Sequence, residues 1–202
     1  MRQTATSKMK FLTIGLLIGL LIGFITGYFI ALNLQPSRSS EQEITAYSYT
    51  CVGDRDQLIA SWSYAVDGDW STKLQWNTSD LSDFSIAIIE NFSIPDLAKT
   101  VKWEFKAYHE RTASLMPTPM EVSFWNGSSW KILYALDDQE HVNEAFVETL
   151  NVPAESISEG KVCIQVSMKY SSHVVGGIPP SVPEQMWQYV EYYEGKLTIT
   201  SA

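Results

Sequence analysis

The chain has 202 residues, of which 45% are hydrophobic and 18% charged, and its formal net charge at pH 7 is −9. All 23 acidic residues lie from Glu41 onward with 10 of the 14 basic ones, so this part of the chain carries a net charge of about −13. An acidic surface of that size argues against binding to nucleic acid or anionic lipid. The length after Glu43 suits one domain and is too short for two large ones.

An apolar stretch near the N-terminus runs from Phe11 to Leu34. Its 24 residues carry no charge. A helix of this length covers roughly 36 Å, enough to cross a hydrocarbon core of about 30 Å. We predict an uncleaved transmembrane helix over residues 11–34. The alternatives are a cleaved secretory signal, which would be shorter and end in a small-x-small site, and a buried core helix, which would have a more polar face.

The charges that flank this stretch predict its orientation. Arg2, Lys8 and Lys10 precede it, and no acidic residue lies before Glu41. By the positive-inside rule, residues 1–10 stay in the cytoplasm and the C-terminal domain lies outside the cell membrane. The chain is therefore predicted to be a single-pass signal-anchor protein.

Glycines recur at every fourth position of the predicted helix, at Gly15, Gly19, Gly23 and Gly27. This spacing lets two helix backbones approach closely, so it predicts a homo-oligomer or packing on a partner transmembrane helix. The alternative explanation is that glycine is common in membrane helices generally.

Residues 35–43 have the composition of a short linker, and residues 44–202 are predicted to form the extracytoplasmic domain. The clearest strand in this domain is Val101–Tyr108, where apolar and polar residues alternate strictly. Other short runs rich in aromatic and β-branched residues are also expected to be strands. They are Thr45–Val52, Leu58–Tyr64, Ser85–Phe92, Met120–Trp125, Trp130–Leu136, Phe146–Val152, Lys161–Lys169, Trp187–Tyr193 and Gly195–Thr200.

The segment Ser171–Gln185 is predicted to be a loop, because its adjacent glycines and three prolines cannot serve a central strand. No helix after the membrane stretch is persuasive. About eight short antiparallel strands at this spacing favour an all-β domain, a β-sandwich of the jelly-roll type.

The two cysteines are Cys51 and Cys163. A location outside the cell permits disulfides, and an even number of cysteines is what pairing requires. We therefore predict a Cys51–Cys163 disulfide, which would join an early strand to a late one. The alternative is two buried free thiols.

Several segments, taken in order, resemble the galactose-binding-like jelly rolls, which include discoidin domains, coagulation-factor type C domains and related carbohydrate-binding modules. The resemblance covers roughly residues 45–200 and implies an extracellular sandwich whose end loops bind a ligand, often a glycan. The segments that carry it are AVDGDWST (65–72), VSFWNGSSWKIL (122–133), GKVCIQV (160–166) and KLTI (196–199).

The resemblance also implies a structural calcium ion near the Asp67-Gly68 turn, although no cofactor is required. Asp67, Asp69 and Thr72 are the candidate ligands, with Glu191 or Glu194 as a further one. Oxygen ligands at close spacing suit calcium. A turn whose polar groups satisfy one another is the alternative for the same residues.

No group of residues in the sequence indicates catalysis. His109, His141 and His173 are far apart and lack the spacing of metal ligands. The carboxylates occur without a paired context. We therefore predict that the protein is not an enzyme.

Seven tryptophans suggest ligand binding, because sugars present C–H faces that stack on aromatic rings. Trp103 and Trp125 lie on predicted strands and are assigned to the core. Trp70, Trp76 and Trp187 lie in or beside loops and are the candidate ligand-binding residues.

Three asparagines begin N-x-S/T motifs and are candidate glycosylation sites on an exported domain. They are Asn77, Asn91 and Asn126, of which Asn126 lies in a predicted hairpin loop.

Two functions are compatible with these features. The leading hypothesis is a membrane-anchored module that recognises a glycan or another cell-surface ligand through its end loops. The alternative is a non-catalytic structural subunit of a membrane or cell-envelope assembly that packs through its glycine stripe.

Overall fold

The computed structural model describes residues 41–59, 61–77, 82–95, 98–175 and 184–201, together with residue 23. Gly23 is helical. The rest of the predicted membrane helix lies outside the described residues, as do residues 1–10, residues 35–40 and the glycines Gly15, Gly19 and Gly27. No helix in the described ranges is long and apolar enough to cross a membrane. The chain divides into two compact units, residues 1–39 and residues 40–202.

Nine strands make up most of the described part of the second unit. They are β1 (Glu41–Ile44), β2 (Ser48–Gly53), β3 (Phe84–Ser93), β4 (Ala98–Arg111), β5 (Met120–Trp125), β6 (Trp130–Ala135), β7 (Glu144–Asn151), β8 (Lys161–Val175) and β9 (Glu184–Ser201). Every pairing between them is antiparallel.

Five strands form the first layer of the domain, in the order β2-β3-β8-β5-β6. Side chains alternate between its two faces along each strand, as the pleat of a strand requires. On β3, for example, Ile86 and Ile88 are buried, while Ala87 and Ile89, which alternate with them, are partly exposed. The buried face therefore has the period of two that the sequence showed.

The second layer contains β1, β9, β4 and β7. The first third of β9, Glu184–Tyr189, pairs with the end of β8, and its last part pairs with β1. β4 pairs with β9 from Gln188 to Ser201. β9 has a bulge where it pairs with β4. Lys106 of β4 pairs with Glu194 and Ala107 pairs with Tyr192, which leaves Tyr193 as the extra residue.

The two layers pack face to face over one hydrophobic core. Phe105 of β4 in the second layer meets Tyr134 of β6 in the first layer edge to face, with ring centroids 5.6 Å apart. Trp103 and Phe105 are fully buried, as predicted for the inward face of the alternating strand. The predicted β-sandwich is therefore confirmed, with nine strands in the described residues.

The prediction of a strand over Leu58–Tyr64 is wrong. Leu58 makes only an isolated bridge to Trp76, and the chain then forms a short 3-10 helix over Trp62–Ala65. The side chain of Ser61 caps this turn by accepting a hydrogen bond from the amide of Ser63. Residues of high strand propensity thus pack on the core without joining a sheet.

The two predicted C-terminal strands form the single strand β9, because the bulge near Gly195 allows pairing with β4 to continue past it. The predicted loop Ser171–Gln185 is also shorter than expected. β8 continues to Val175 and β9 begins at Glu184, because these ends pair with each other. Similarly, the sheet begins at Glu41, inside the predicted linker 35–43.

The predicted Cys51–Cys163 disulfide is wrong, and both cysteines are free thiols. Cys51 pairs with Ile88 of β3, whereas Cys163 pairs with Asn91 of the same strand. The cysteines therefore lie two strands apart, about 9 Å or more, which exceeds the Cα separation of about 4.4–6.8 Å that a disulfide spans. In addition, Cys51 faces the core while Cys163 faces outward.

Candidate ligand-binding site

The outer face of the second layer carries a polar groove beside Trp70, which we call the Trp70 groove. It has a volume of about 480 Å³, within the usual range of about 300–1,000 Å³ for small-molecule sites. Besides Trp70, seven side chains line it and all are polar: Glu41, Glu43, Lys102, Glu104, Thr149, Lys196 and Thr198. They come from four different strands, β1, β4, β7 and β9.

Strand register brings these polar side chains together. Lys102 of β4 lies opposite Thr198 of β9, and Glu104 lies between Lys196 of β9 and Thr149 of β7. The four side chains on β4 and β9 alternate with buried residues, and Thr149 alternates with partly buried ones, so all five project from the outer face. The hydroxyl of Thr149 donates a hydrogen bond of 3.2 Å to Glu104.

Trp70 is held over this face by the loop that follows the Asp67-Gly68 turn. The backbone carbonyl oxygen of Trp70 accepts a hydrogen bond of 3.2 Å from the Lys106 ammonium. The Lys196 ammonium lies 5.1 Å from the ring centroid of Trp70 and 3.7 Å from a carboxylate oxygen of Glu43. Lys106 of β4 thus holds the backbone of Trp70, and Lys196 of β9 places a cation against its half-buried ring.

The Asp67-Gly68 turn next to Trp70 is built from local hydrogen bonds. Asp67 accepts from the amide of Asp69 and from the hydroxyl of Thr72. Asp69 in turn accepts from Ser71, and these hydrogen bonds hold the pKa of Asp69 below its usual range. The three predicted calcium ligands of this loop therefore lie together, in a turn whose polar groups satisfy one another.

Glu194 reaches this turn from the bulge in β9. One carboxylate oxygen accepts a 3.0 Å hydrogen bond from the amide of Gly68, while the other is buried and has no hydrogen-bond partner among the described residues. Burial raises the pKa of Glu194, the Gly68 amide lowers it in part, and the charge of Asp67 raises it further. The unpartnered oxygen is a place where a cation would offset negative charge.

Glu191, the other predicted glutamate ligand, has a different partner. It forms an ion pair with Lys73, whose ammonium also lies over the rings of Tyr108 and Tyr193. Burial raises the pKa of Glu191, and Lys73 offsets part of this rise. Among the described residues, no cluster of three or more His, Cys, Asp or Glu side chains is arranged to hold a metal ion.

Of the three candidate tryptophans, the structure places only Trp70 in the groove. Trp76 is 2% exposed, packs against Phe84, and donates a 2.7 Å hydrogen bond to the carbonyl of Val190. Trp187 is half-buried, and its indole N–H donates to Glu110. Trp76 is therefore part of the core and cannot contact a ligand.

The assignment of Trp125 to the core is wrong, since its side chain is 38% exposed. The alternation of residues in this strand was sufficient to predict that Trp125 is exposed. In the strand MEVSFW, the apolar residues Met120, Val122 and Phe124 share one face, which places Trp125 on the other face with Ser123.

The sequence patterns also gave no indication of the seven polar residues of the Trp70 groove. No local motif marks them, because they are distant in sequence and meet only when four strands pair.

The end of the sandwich at which β8 pairs with β9 has a cavity of about 340 Å³. Asp54, Asp83 and Met116 contribute to its lining. Its aromatic residues Phe84 and Tyr170 stack on each other at 4.4 Å and are buried. This cavity therefore offers no free aromatic face.

The candidate glycosylation sites lie in three settings. Asn91 lies near the end of β3 and donates a hydrogen bond to Ser48, whereas Asn126 begins the β5–β6 turn. Asn77 is half-buried and follows Trp76. Glycosylation at these sites stays a prediction.

Neither a scan against protein-family models nor a search of curated proteins finds a match to this chain. Solved structures of similar fold include TmCBM61 in complex with β-1,4-galactotriose, at 12% identity and a TM-score of 0.45, with 76% of this chain and 89% of the other covered. A family 32 carbohydrate-binding module of C. perfringens NanJ in complex with galactose has 17% identity and a TM-score of 0.40, with 79% and 99% covered.

An F5/8 type C domain from Bacteroides fragilis has 10% identity and a TM-score of 0.37, with 79% of this chain and 98% of the other covered. At these low TM-scores, the fold rests on the strand pairing described above.

Proposed function

We propose that residues 41–201 form a non-catalytic glycan-binding domain and that the Trp70 groove is its binding site. The observation that carries this proposal is a half-buried indole beside seven polar side chains in a groove large enough for a small ligand. A sugar has an apolar C–H face and a rim of hydroxyl groups, so it needs this combination of an aromatic wall and polar partners.

The polar side chains of the groove match the hydrogen-bonding needs of hydroxyl groups. The carboxylates of Glu41, Glu43 and Glu104 accept hydrogen bonds, while the ammonium groups of Lys102 and Lys196 donate them. Thr149 and Thr198 can do both.

The charges of the groove are nearly balanced, which favours a neutral glycan. Lys196 lies close to Glu43, at 3.7 Å. Three carboxylates and two ammonium groups leave one net negative charge along the lining. A strongly acidic sugar would meet repulsion from this lining and from the acidic domain as a whole.

We also propose that residues 11–34 anchor this domain at the outer side of a cell membrane. Support comes from the length of the apolar stretch, its lack of charge and the basic residues before it. Protease digestion of intact cells tests the orientation: the domain should be accessible while a tag on residues 1–10 stays protected.

Calcium is a further proposal for the Asp67-Gly68 turn. Asp67, Thr72 and Glu194 would hold the ion, and the support is the buried, unpartnered oxygen of Glu194. Bound calcium would supply positive charge that fixes the turn and, through it, Trp70. Asp69 and Glu191 are not included as ligands, because Asp69 accepts a hydrogen bond from Ser71 and Glu191 forms an ion pair with Lys73.

A glycan array tests the main proposal. The full chain, solubilised in detergent, is applied with calcium and with a chelator, and β-1,4-galactotriose and galactose are included among neutral and acidic glycans. Binding to neutral glycans is expected. Absence of binding to every glycan under both conditions would overturn the proposed function.

A further inference from the structure

The tip of the β5–β6 hairpin carries two exposed tryptophans. Trp125 is 38% exposed and Trp130 is 37% exposed, although other tryptophans of the domain, such as Trp76 and Trp103, are buried. Trp125 and Trp130 pair directly across the two strands. Their ring centroids are 5.6 Å apart and the rings are inclined at 64°, so the two indoles form a corner open to solvent.

Hydrogen bonds in the connecting turn hold this corner in place. The side-chain oxygen of Asn126 accepts from the amides of Ser128 and Ser129, at 3.1 and 2.9 Å. The amide of Asn126 donates to the carbonyl of Ser129. Because the turn is fixed, little conformational entropy remains to be lost when a ligand binds to the rings.

Three side chains on the strands beside the two rings are uncharged. Ile132, which is 63% exposed, lies opposite Ser123, and Gln165 of β8 lies opposite Ser123 on its other side. The amide of Gln165 donates to the hydroxyl of Ser167, so polar groups lie on the strand beside the rings. These uncharged side chains on an acidic domain suit a neutral ligand better than an anionic one.

We propose that Trp125 and Trp130 form a second glycan-binding site, which takes a neutral sugar whose C–H face stacks in the corner between the rings. The ligand class rests on the proposed function, but the site shares no residue with the Trp70 groove. Two separate sites on one domain would raise the apparent affinity for a glycan long or branched enough to reach both.

Variants of the two sites distinguish this proposal from the proposed function. The full chain in detergent is compared on the same glycan array as wild type, as W125A/W130A, as W70A, and as Y47A, a control whose exposed aromatic side chain lies in neither site. Unfolding midpoints confirm that each variant is folded. We expect W125A/W130A to weaken binding of at least one neutral glycan by about tenfold, W70A to retain part of that binding, and Y47A to match wild type.

A second measurement follows binding to the wild-type hairpin directly. In full chain labelled with ¹⁵N-tryptophan, the indole signals of Trp125 and Trp130 should shift as the best neutral glycan of the array is added, and W125F and W130F serve to assign them. Unchanged hairpin signals, together with wild-type binding by W125A/W130A, would overturn the second site and leave the Trp70 groove standing. If wild type binds no glycan, both proposals fall.

Two other occupants of the hairpin are tested with the same variants. Flotation with phosphatidylcholine vesicles of W125A/W130A and wild type, each as full chain, reports on a lipid surface, and sedimentation reports on a second copy of the chain. A defect of W125A/W130A in either measurement, with glycan binding unchanged, would overturn the proposal.

Discussion

The hydroxyl of Tyr192 on β9 donates a hydrogen bond to the carboxyl group of Glu90 on β3, with 3.0 Å between the oxygen atoms. The two residues belong to opposite layers of the sandwich, and both are almost fully buried. Burial raises the pKa of Glu90 to about 8, the hydrogen bond from Tyr192 lowers it in part, and Glu194 raises it. The carboxyl group is therefore uncharged at neutral pH.

Glu90 makes the stability of the domain depend on pH. Its pKa is about 8 in the folded chain against an ordinary value of 4.5, so the folded state holds a proton that the unfolded state has lost between these values. This contribution to stability is full below about pH 4.5 and is lost as the pH rises to about 8, at up to about 1.4 kcal/mol per pH unit.

The substitution E90Q isolates this effect, because glutamine has no proton to lose. Urea unfolding between pH 5 and 8 should show that the difference in unfolding free energy between E90Q and wild type moves in favour of E90Q as the pH rises. Parallel pH dependences for the two proteins would contradict a protonated Glu90.

Gly195 allows Trp103 and Tyr192 to pack beneath the bulge. A Cβ atom at position 195 would lie 2.3 Å from the Trp103 ring and 2.6 Å from the Tyr192 hydroxyl. G195A should therefore lower the unfolding free energy by about 1–3 kcal/mol, the usual cost of overpacking. Urea unfolding measures it.

G127A is the matched control, since Gly127 has nothing within 4 Å of a Cβ position, although its φ of +92° costs some strain. A loss for G195A no larger than for G127A would show that the packing at Trp103 tolerates a methyl group.

Because both cysteines are free thiols, we predict that the stability of the domain does not depend on oxidation. Cys51 and Cys163 face opposite sides of the first layer, so no disulfide can form between them without breaking strand pairing. The thermal midpoint should be the same with and without reductant, and the intact mass should correspond to two thiols. A mass lower by two hydrogens before reduction would refute this register.

Calcium binding at Asp67 and Glu194 should raise the thermal midpoint. A ligand that binds only the folded state stabilises it by about 2.7 kcal/mol at a hundredfold excess over its Kd. The rise should disappear in E194Q. It should persist in E191Q, because Glu191 is paired with Lys73 instead.

Scanning fluorimetry with calcium, magnesium or chelator makes this comparison. An equal calcium effect in wild type and E194Q would exclude Glu194 as a ligand.

Local sequence patterns predicted the strands well wherever a strand has one solvent-exposed and one buried face. The alternation over Val101–Tyr108 gave β4, and MEVSFW gave β5 with its bounds as observed. Patterns failed at Leu58–Tyr64, because propensity cannot tell whether an apolar run finds a partner strand.

The site was harder to predict than the fold. Turn composition pointed to Trp70, since the Asp67-Gly68 turn is local. The partners of Trp70 in the groove, such as Glu43, Glu104 and Thr149, are ordinary polar residues of three strands, and only strand order brings them together. The prediction of a disulfide was wrong for the same reason, because strand register decides which face of the sheet a cysteine occupies.

Isothermal titration of the full chain and its W70A variant with the strongest neutral glycan from the array tests the central claim most directly. Loss of the aromatic wall should weaken binding at least about tenfold, or about 1.4 kcal/mol, while Y47A binds like wild type. A folded W70A that binds every glycan as tightly as wild type would contradict the assignment of the Trp70 groove.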